Sequence, residues 1–274
     1  MVTAIWGWTF VLVKDAVTQY PTLPFLQVRF LVAFLVIAVL VRQLPTRREL
    51  KLGLIVGAVL AAGYLMQTAG LAITSPGNAG LITGMVVVFT PLVGRLFGTP
   101  VRWWTWVAVV VSFTGIGLLT GGASGLNIGD VLVLACALLF ALQLVLLGRW
   151  SPGLRPGPLT LVQMVGCVLL FSAGGTWSLR PPSAQVWLAI AITGVFATAL
   201  AFYIQTLAQK HLDANRVALI LTLEPAWALA AAVILAGQRF GAVQAAGAAV
   251  VLAAIVGHEL ASLKFEAHVE PPTP

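Results

Sequence analysis

Two ionisable side chains stand inside long apolar runs of this chain, Arg29 and Glu224. A charge at the middle of a membrane helix costs about 2.5–3.5 kcal/mol on insertion scales, so it persists where it faces a cavity, a partner or an interface. Arg29 offers a planar fork of donors suited to a carboxylate or another anionic group. It also stands near the outer end of its run, where snorkelling to the headgroups would serve as well. Glu224 lies deep in its run, directly before Pro225. It suits an ammonium group, a transferred proton or a structural contact between helices. Uncharged polar and aromatic groups accompany the two charges: Trp6, Tyr64, Gln67, Gln163, Tyr203 and Gln205. Amides and phenols hydrogen-bond a small polar ligand without the full cost of a charge. Trp6, with Trp8, also fits an interfacial aromatic belt. The candidate substrate-binding set is Arg29, Glu224, Tyr64, Gln67, Tyr203, Gln205 and Trp6. An ion pair between Arg29 and Glu224 is left open.

No catalytic constellation accompanies them. His211, His258 and His268 are scattered at run ends and in the tail. There is no HExxH, no GxSxG and no phosphate-binding GxxxxGK[ST] loop, so neither a cofactor nor a metal nor ATP hydrolysis is expected. Cys136 and Cys167 lie mid-run among apolar residues, without metal-ligand spacing, and read as packing residues.

The elements that must position these residues are apolar runs of 16 to 23 residues. They are Val2–Val17, Phe25–Val41, Leu52–Ile73, Ala79–Phe97, Trp103–Gly121, Ile128–Gly148, Leu159–Ser178, Gln185–Leu207, Ala214–Ala236 and Gly241–Leu260. A helix crossing a hydrocarbon core of about 30 Å needs about 20 residues. The fold class expected is therefore all-α integral membrane with ten transmembrane helices. With 60% hydrophobic and 8% charged residues, the chain cannot build a water-facing surface. The partners implied are the lipid bilayer and a small-molecule substrate. The net charge of +7 lacks a basic face with interleaved aromatics, which excludes nucleic acid.

The basic residues instead report topology. With the N-terminus in the cytoplasm, inside loops and the C-terminus hold eleven of the fifteen Lys and Arg, and outside loops hold Lys14, Arg180 and Arg239. This places both termini inside a cytoplasmic membrane. Lys14 and Asp15 read as an interfacial pair. The first run is short and begins almost at Met1, consistent with a start upstream or with a tilted, partly exposed helix. No signal peptide is seen. The tail, residues 261–274, reads as a short disordered end.

The two halves resemble each other. Met66-Gln67-Thr68, preceded by Tyr64, matches Ile204-Gln205-Thr206, preceded by Phe202, at an offset of 138 residues. An offset of 134 pairs Trp6-Gly7-Trp8 with Phe140-Ala141-Leu142, and Arg29 with Gln163. Asn78 and Pro91 answer Asn215 and Pro225. Two five-span repeats follow, residues 1–122 and 123–260. Five is odd, so the second copy inserts upside down, the architecture of alternating-access carriers. Pro91 and Pro225 are candidate hinges, since proline inside a span frees a carbonyl and bends the helix. Small-xxx-small pairs such as Gly53 and Gly57, Gly80 and Gly84, and Gly117 and Gly121 fit close helix contacts.

The pattern resembles the EamA group of the drug/metabolite transporter superfamily. The resemblance rests on Trp6-Gly7, Arg29-Phe30, Asn78 to Gly84 running on to Thr90-Pro91-Leu92, and Leu223-Glu224-Pro225-Ala226. It departs at Gly237-Gln238, where the family often has Gly-Glu. The resemblance implies a bacterial inner-membrane exporter of small metabolites, often amino acids or their relatives, with a central cavity between the repeats. It leaves proton coupling, substrate and oligomeric state open. The competing readings are a non-transporting receptor or partner module, which the short loops oppose, and an intramembrane lipid-modifying enzyme. The latter needs carboxylates or histidines converging at one membrane face, and the chain has none.

Overall fold

The computed structural model describes residues 1–121, 125–174 and 180–269. Among these every regular element is helical. Helices α1 (Val2–Gln19), α2 (Thr22–Leu40) and α3 (Arg47–Ile73) are followed by a broken pair, α4 (Pro76–Thr83) and α5 (Val86–Arg95), and by α6 (Trp103–Leu119). The second half begins with α7 (Ile128–Trp150) and α8 (Pro156–Ala173). Then α9 (Ala184–Ile192) runs through a π-helical segment, Thr193–Leu200, into α10 (Ala201–Gln209). A second broken pair, α11 (Ala214–Leu221) and α12 (Glu224–Ile234), precedes α13 (Ala242–Val269).

Eight helical segments are long and apolar enough to cross a bilayer, counting α4–α5, α9–α10 and α11–α12 as one each. The two helices outside that count are α6, of 17 residues, and α1, of 18 residues, which carries Lys14 and Asp15 near its end.

Local sequence sets where helices begin. Capping boxes start α3 (Thr46 with Glu49) and α7 (Asn127 with Asp130), each pairing two otherwise orphaned backbone donors. Ser75, Ser183 and Asp213 cap α4, α9 and α11 through their side chains. The Glu49 carboxylate does double duty. It accepts Arg155 Nη2 at 2.6 Å and Nε at 2.9 Å, joining the start of α3 to the start of α8. That bond raises the Arg155 pKa above its ordinary value.

Close helix approach uses small residues, as expected where lipid supplies no hydrophobic drive. At the α3–α8 seam a β-carbon on Gly57 would sit 2.6 Å from the Gln163 carbonyl oxygen. Cys167 Sγ lies 3.3 Å from the Gly57 carbonyl across the same seam. Both cysteines are buried and unpaired. Gly117 and Gly121 meet nothing within 4 Å; α6 meets α13 at Gly115 instead, close to the Gly247 backbone.

Two expectations about the ends change. Lys14 has more than Asp15 as a neighbour: its Nζ donates to the carbonyls of Leu71, Ala72 and Thr74 at 2.9–3.0 Å. Those are the orphaned acceptors at the end of α3, where a cation is favoured. The tail read as disordered after Leu260 continues as helix to Val269, with residues 270–274 outside the described set. Phe265 explains the extension. It packs on Trp104 with ring centroids 5.5 Å apart, and the Arg102 guanidinium sits 3.6 Å above its ring.

Candidate functional site

Both broken pairs have the same construction. Each opens with an eight-residue helix, α4 or α11, and then has a two-residue interruption, Gly84-Met85 or Thr222-Leu223. The breaks meet: a β-carbon at Gly84 would collide with the Pro225 ring. Pro225 occupies the first turn of α12, where its missing N–H would have had no intrahelical partner. Pro91 lies inside the unbroken α5, past the interruption. Each break places the first residue of the following helix, Val86 or Glu224, on the wall of one central cavity.

That cavity is narrow, with about 50 Å³ open to the centre of a water-sized sphere. Its walls are paired between the halves. Tyr64 and Phe202, Gln67 and Gln205, Thr83 and Leu221, and Val86 and Glu224 all line it, each pair 138 residues apart. Trp6 and Phe140, Thr9 and Gln143, and Phe10 and Leu144 also line it, each pair 134 apart. Arg29 lines the cavity without such a counterpart. Gln163, its match in sequence, is fully buried elsewhere and donates to Thr206 Oγ1 at 3.3 Å.

An aromatic layer surrounds Tyr64. Phe30, Phe140 and Phe202 approach its ring edge-on at centroid distances of 5.0, 5.3 and 5.9 Å. The Arg29 guanidinium lies 4.8 Å from the same ring, within cation–π range. Trp6 packs on Phe202 at 5.5 Å.

The π-helical segment holds this layer in place. Its wide turn lets Thr198 Oγ1 donate to the Thr193 carbonyl at 2.8 Å, five residues back. Thr198 then accepts from Arg29 Nε at 2.9 Å, and the Ala197 carbonyl accepts from Trp6 Nε1 at 2.7 Å. Arg29 Nη2 reaches the Tyr64 hydroxyl at 3.5 Å, and among the described residues Nη1 has no hydrogen-bond partner. Arg29 is 3% exposed and Glu224 is 7% exposed. Among the described residues no ion pair joins them, and nothing hydrogen-bonds the Glu224 carboxylate. A buried guanidinium and a buried carboxyl, not paired with each other and on one cavity, can bind the two ends of a small dipolar solute.

Of the seven residues predicted from sequence, six line this cavity: Arg29, Glu224, Tyr64, Gln67, Gln205 and Trp6. Tyr203 does not; it is partly buried against the hydrophobic core. Gln67 Nε2 donates to Thr83 Oγ1 at 3.3 Å, beside the first break. Sequence reasoning missed Gln143 and Thr198 as polar members of the site. Extending the offset of 134 from Trp6 and Phe140 by one helical turn reaches Thr9 and Gln143, so that signal was available. Gln238, at the departure noted above, accepts from the Gly77 N–H at 3.1 Å and donates to Ser75 Oγ at 3.0 Å. It fastens the start of α4 and does not line the cavity.

The profile of the EamA-like transporter family matches residues 1–121 and 127–258. The chain belongs to the EamA-like transporter family. A relative from Archaeoglobus fulgidus, described as an uncharacterized transporter, is 33% identical over 93% of this chain and 82% of its own length. The Escherichia coli K12 protein YedA, described as an uncharacterized inner membrane transporter, is 30% identical over 72% of this chain and 68% of its own. A solved crystal structure shares the fold with a TM-score of 0.70, covering 98% of this chain and 96% of that one at 17% identity. This EamA-like chain is thus a multi-pass membrane protein and a transporter.

Proposed function

We propose that this EamA-like protein is a secondary transporter that exports small metabolites, amino acids or related dipolar compounds, across the cytoplasmic membrane. Ten spans form two inverted five-helix repeats, residues 1–122 and 123–260, with both termini cytoplasmic. The repeats exchange conformations around the central cavity in alternating access. The joints are the breaks at Gly84-Met85 and Thr222-Leu223, the second abutting Pro225.

The observation that carries the reading is the pair Arg29 and Glu224, buried on one cavity and unpaired with each other. A zwitterion satisfies both: its carboxylate takes the free Nη1 of Arg29, and its ammonium takes Glu224. In the unloaded carrier Glu224 is the group placed to hold a proton instead. Seven wall positions matched between the halves support the repeat reading, because a site on a pseudo-two-fold axis is lined by equivalent residues from both copies.

The test is counterflow in proteoliposomes preloaded with a mixed amino-acid pool. Saturable exchange of labelled substrate is expected, lost in both Arg29→Ala and Glu224→Gln. Exchange that survives both substitutions would show that the two charges do not bind the substrate.

A further inference from the structure

One turn beyond the aromatic layer the cavity wall changes to amides. Gln143 follows Phe140 by three residues on α7, and Gln205 follows Phe202 by three on α10, so each lies about 4.5 Å further along its helix. Gln205 Nε2 donates to Gln143 Oε1 at 3.0 Å and to Gln209 Oε1 at 3.1 Å. Gln209 Nε2 donates to the Leu144 backbone carbonyl at 2.8 Å. All three side chains are buried.

A glutamine amide can be turned end for end, so the polarity of such a chain needs an anchor. The Leu144 carbonyl supplies it, because a carbonyl oxygen only accepts. Gln209 must therefore present its NH₂ to Leu144 and its oxygen to Gln205. Gln205 must answer with its NH₂, whose two hydrogens serve Gln209 and Gln143. Gln143 must in turn present its oxygen. What remains is the Gln143 NH₂, on a residue that lines the cavity, and Nε2 has no hydrogen-bond partner. A buried donor left unmade costs about 1–3 kcal/mol. The free group is fixed as a donor by a backbone atom three hydrogen bonds away.

We propose that Gln143 is a third anchor of the cavity, donating this N–H to a hydrogen-bond acceptor on the substrate side chain. The inference rests on the transport reading above and narrows its substrate class. The preferred solute is a zwitterion with an acceptor oxygen on its side chain, and Gln205 and Gln209 are positioning residues that fix the Gln143 amide as a donor.

The test is competition in counterflow between norvaline and O-methylserine, which differ by an ether oxygen in place of a methylene. One hydrogen bond of ordinary strength predicts that the wild-type protein favours O-methylserine by about threefold to tenfold. In Gln143→Met that preference, read as the ratio of the two solutes within the one variant, is lost. Gln209→Met removes the anchor, lets the amides turn, and lowers the same preference. It keeps the test available if Gln143→Met fails to fold. No preference in the wild type, or an unchanged preference in a folded variant, overturns this inference and leaves the transport reading standing. No exchange of any amino acid by folded wild-type protein overturns both.

Discussion

The two halves of the cavity wall have matched backbones and unmatched chemistry. Val86 and Glu224 occupy the same place after the same kind of break, yet one is apolar and the other is a carboxylate. Thr9 faces Gln143 in the pairing, and Tyr64 faces Phe202. Arg29 has no counterpart on the wall at all. The wall is therefore drawn from corresponding positions in the two halves. The ionisable groups Arg29 and Glu224 are placed asymmetrically, and in the proposed mechanism that asymmetry orients a dipolar solute. Discontinuous helices make room for the site; individual side chains decide what enters it.

The sharpest way to break the comparison is at its charged member. Glu224→Gln keeps shape and removes the acid, and exchange should fall about tenfold to a hundredfold, the loss of a charged hydrogen bond of about 1.5–3 kcal/mol. The double substitution Val86→Glu with Glu224→Val moves the carboxylate to the matched position. It should not restore counterflow, because Arg29 has no matched partner to move with it.

The contact between the breaks comes next. Gly84→Val drives a side chain into the Pro225 ring and should cost about 1–3 kcal/mol by overpacking, read as a lower melting temperature. The amide pair should then separate by environment. Gln205→Leu strands two buried partners and should cost about 1–3 kcal/mol. Gln67→Leu loses one long bond at a partly buried site and should cost less than about 1 kcal/mol, both measured by thermal unfolding. Smallest of all, Pro91→Ala should leave counterflow within about twofold, because the interruption in that span precedes it. A large effect there would move the joint from Gly84-Met85 to Pro91.

Much of this site was legible because a charge in an apolar run is expensive and therefore conspicuous. Arg29 and Glu224 stood out on that ground alone. Tyr64, Gln67 and Gln205 stood out through the internal repeat. Three features left no such mark. Thr198 is an ordinary span residue until the π-helical turn points it at Arg29, and nothing in Thr193–Leu200 advertises a π turn. Tyr203 and Phe202 are neighbours on one helix, and periodicity without a partner surface did not say which faces inward. Proline marks only one of the two interruptions: α12 begins beside Pro225, whereas the first pair breaks at Gly84-Met85, ahead of Pro91, which lies within α5. Lys14 was read beside Asp15 because they are adjacent in sequence, whereas the end of α3 offers three carbonyls in a cluster.

Cys167 gives this architecture a built-in reporter. Its thiol is buried against Gly57 where a helix of one half meets a helix of the other, and Cys136 is buried as well. In the closed seam a membrane-permeant maleimide has no path to either sulfur. Labelling of Cys167 in the native, unsubstituted chain would therefore clock how often the seam parts, and its rate with and without added solute would read turnover without an engineered probe.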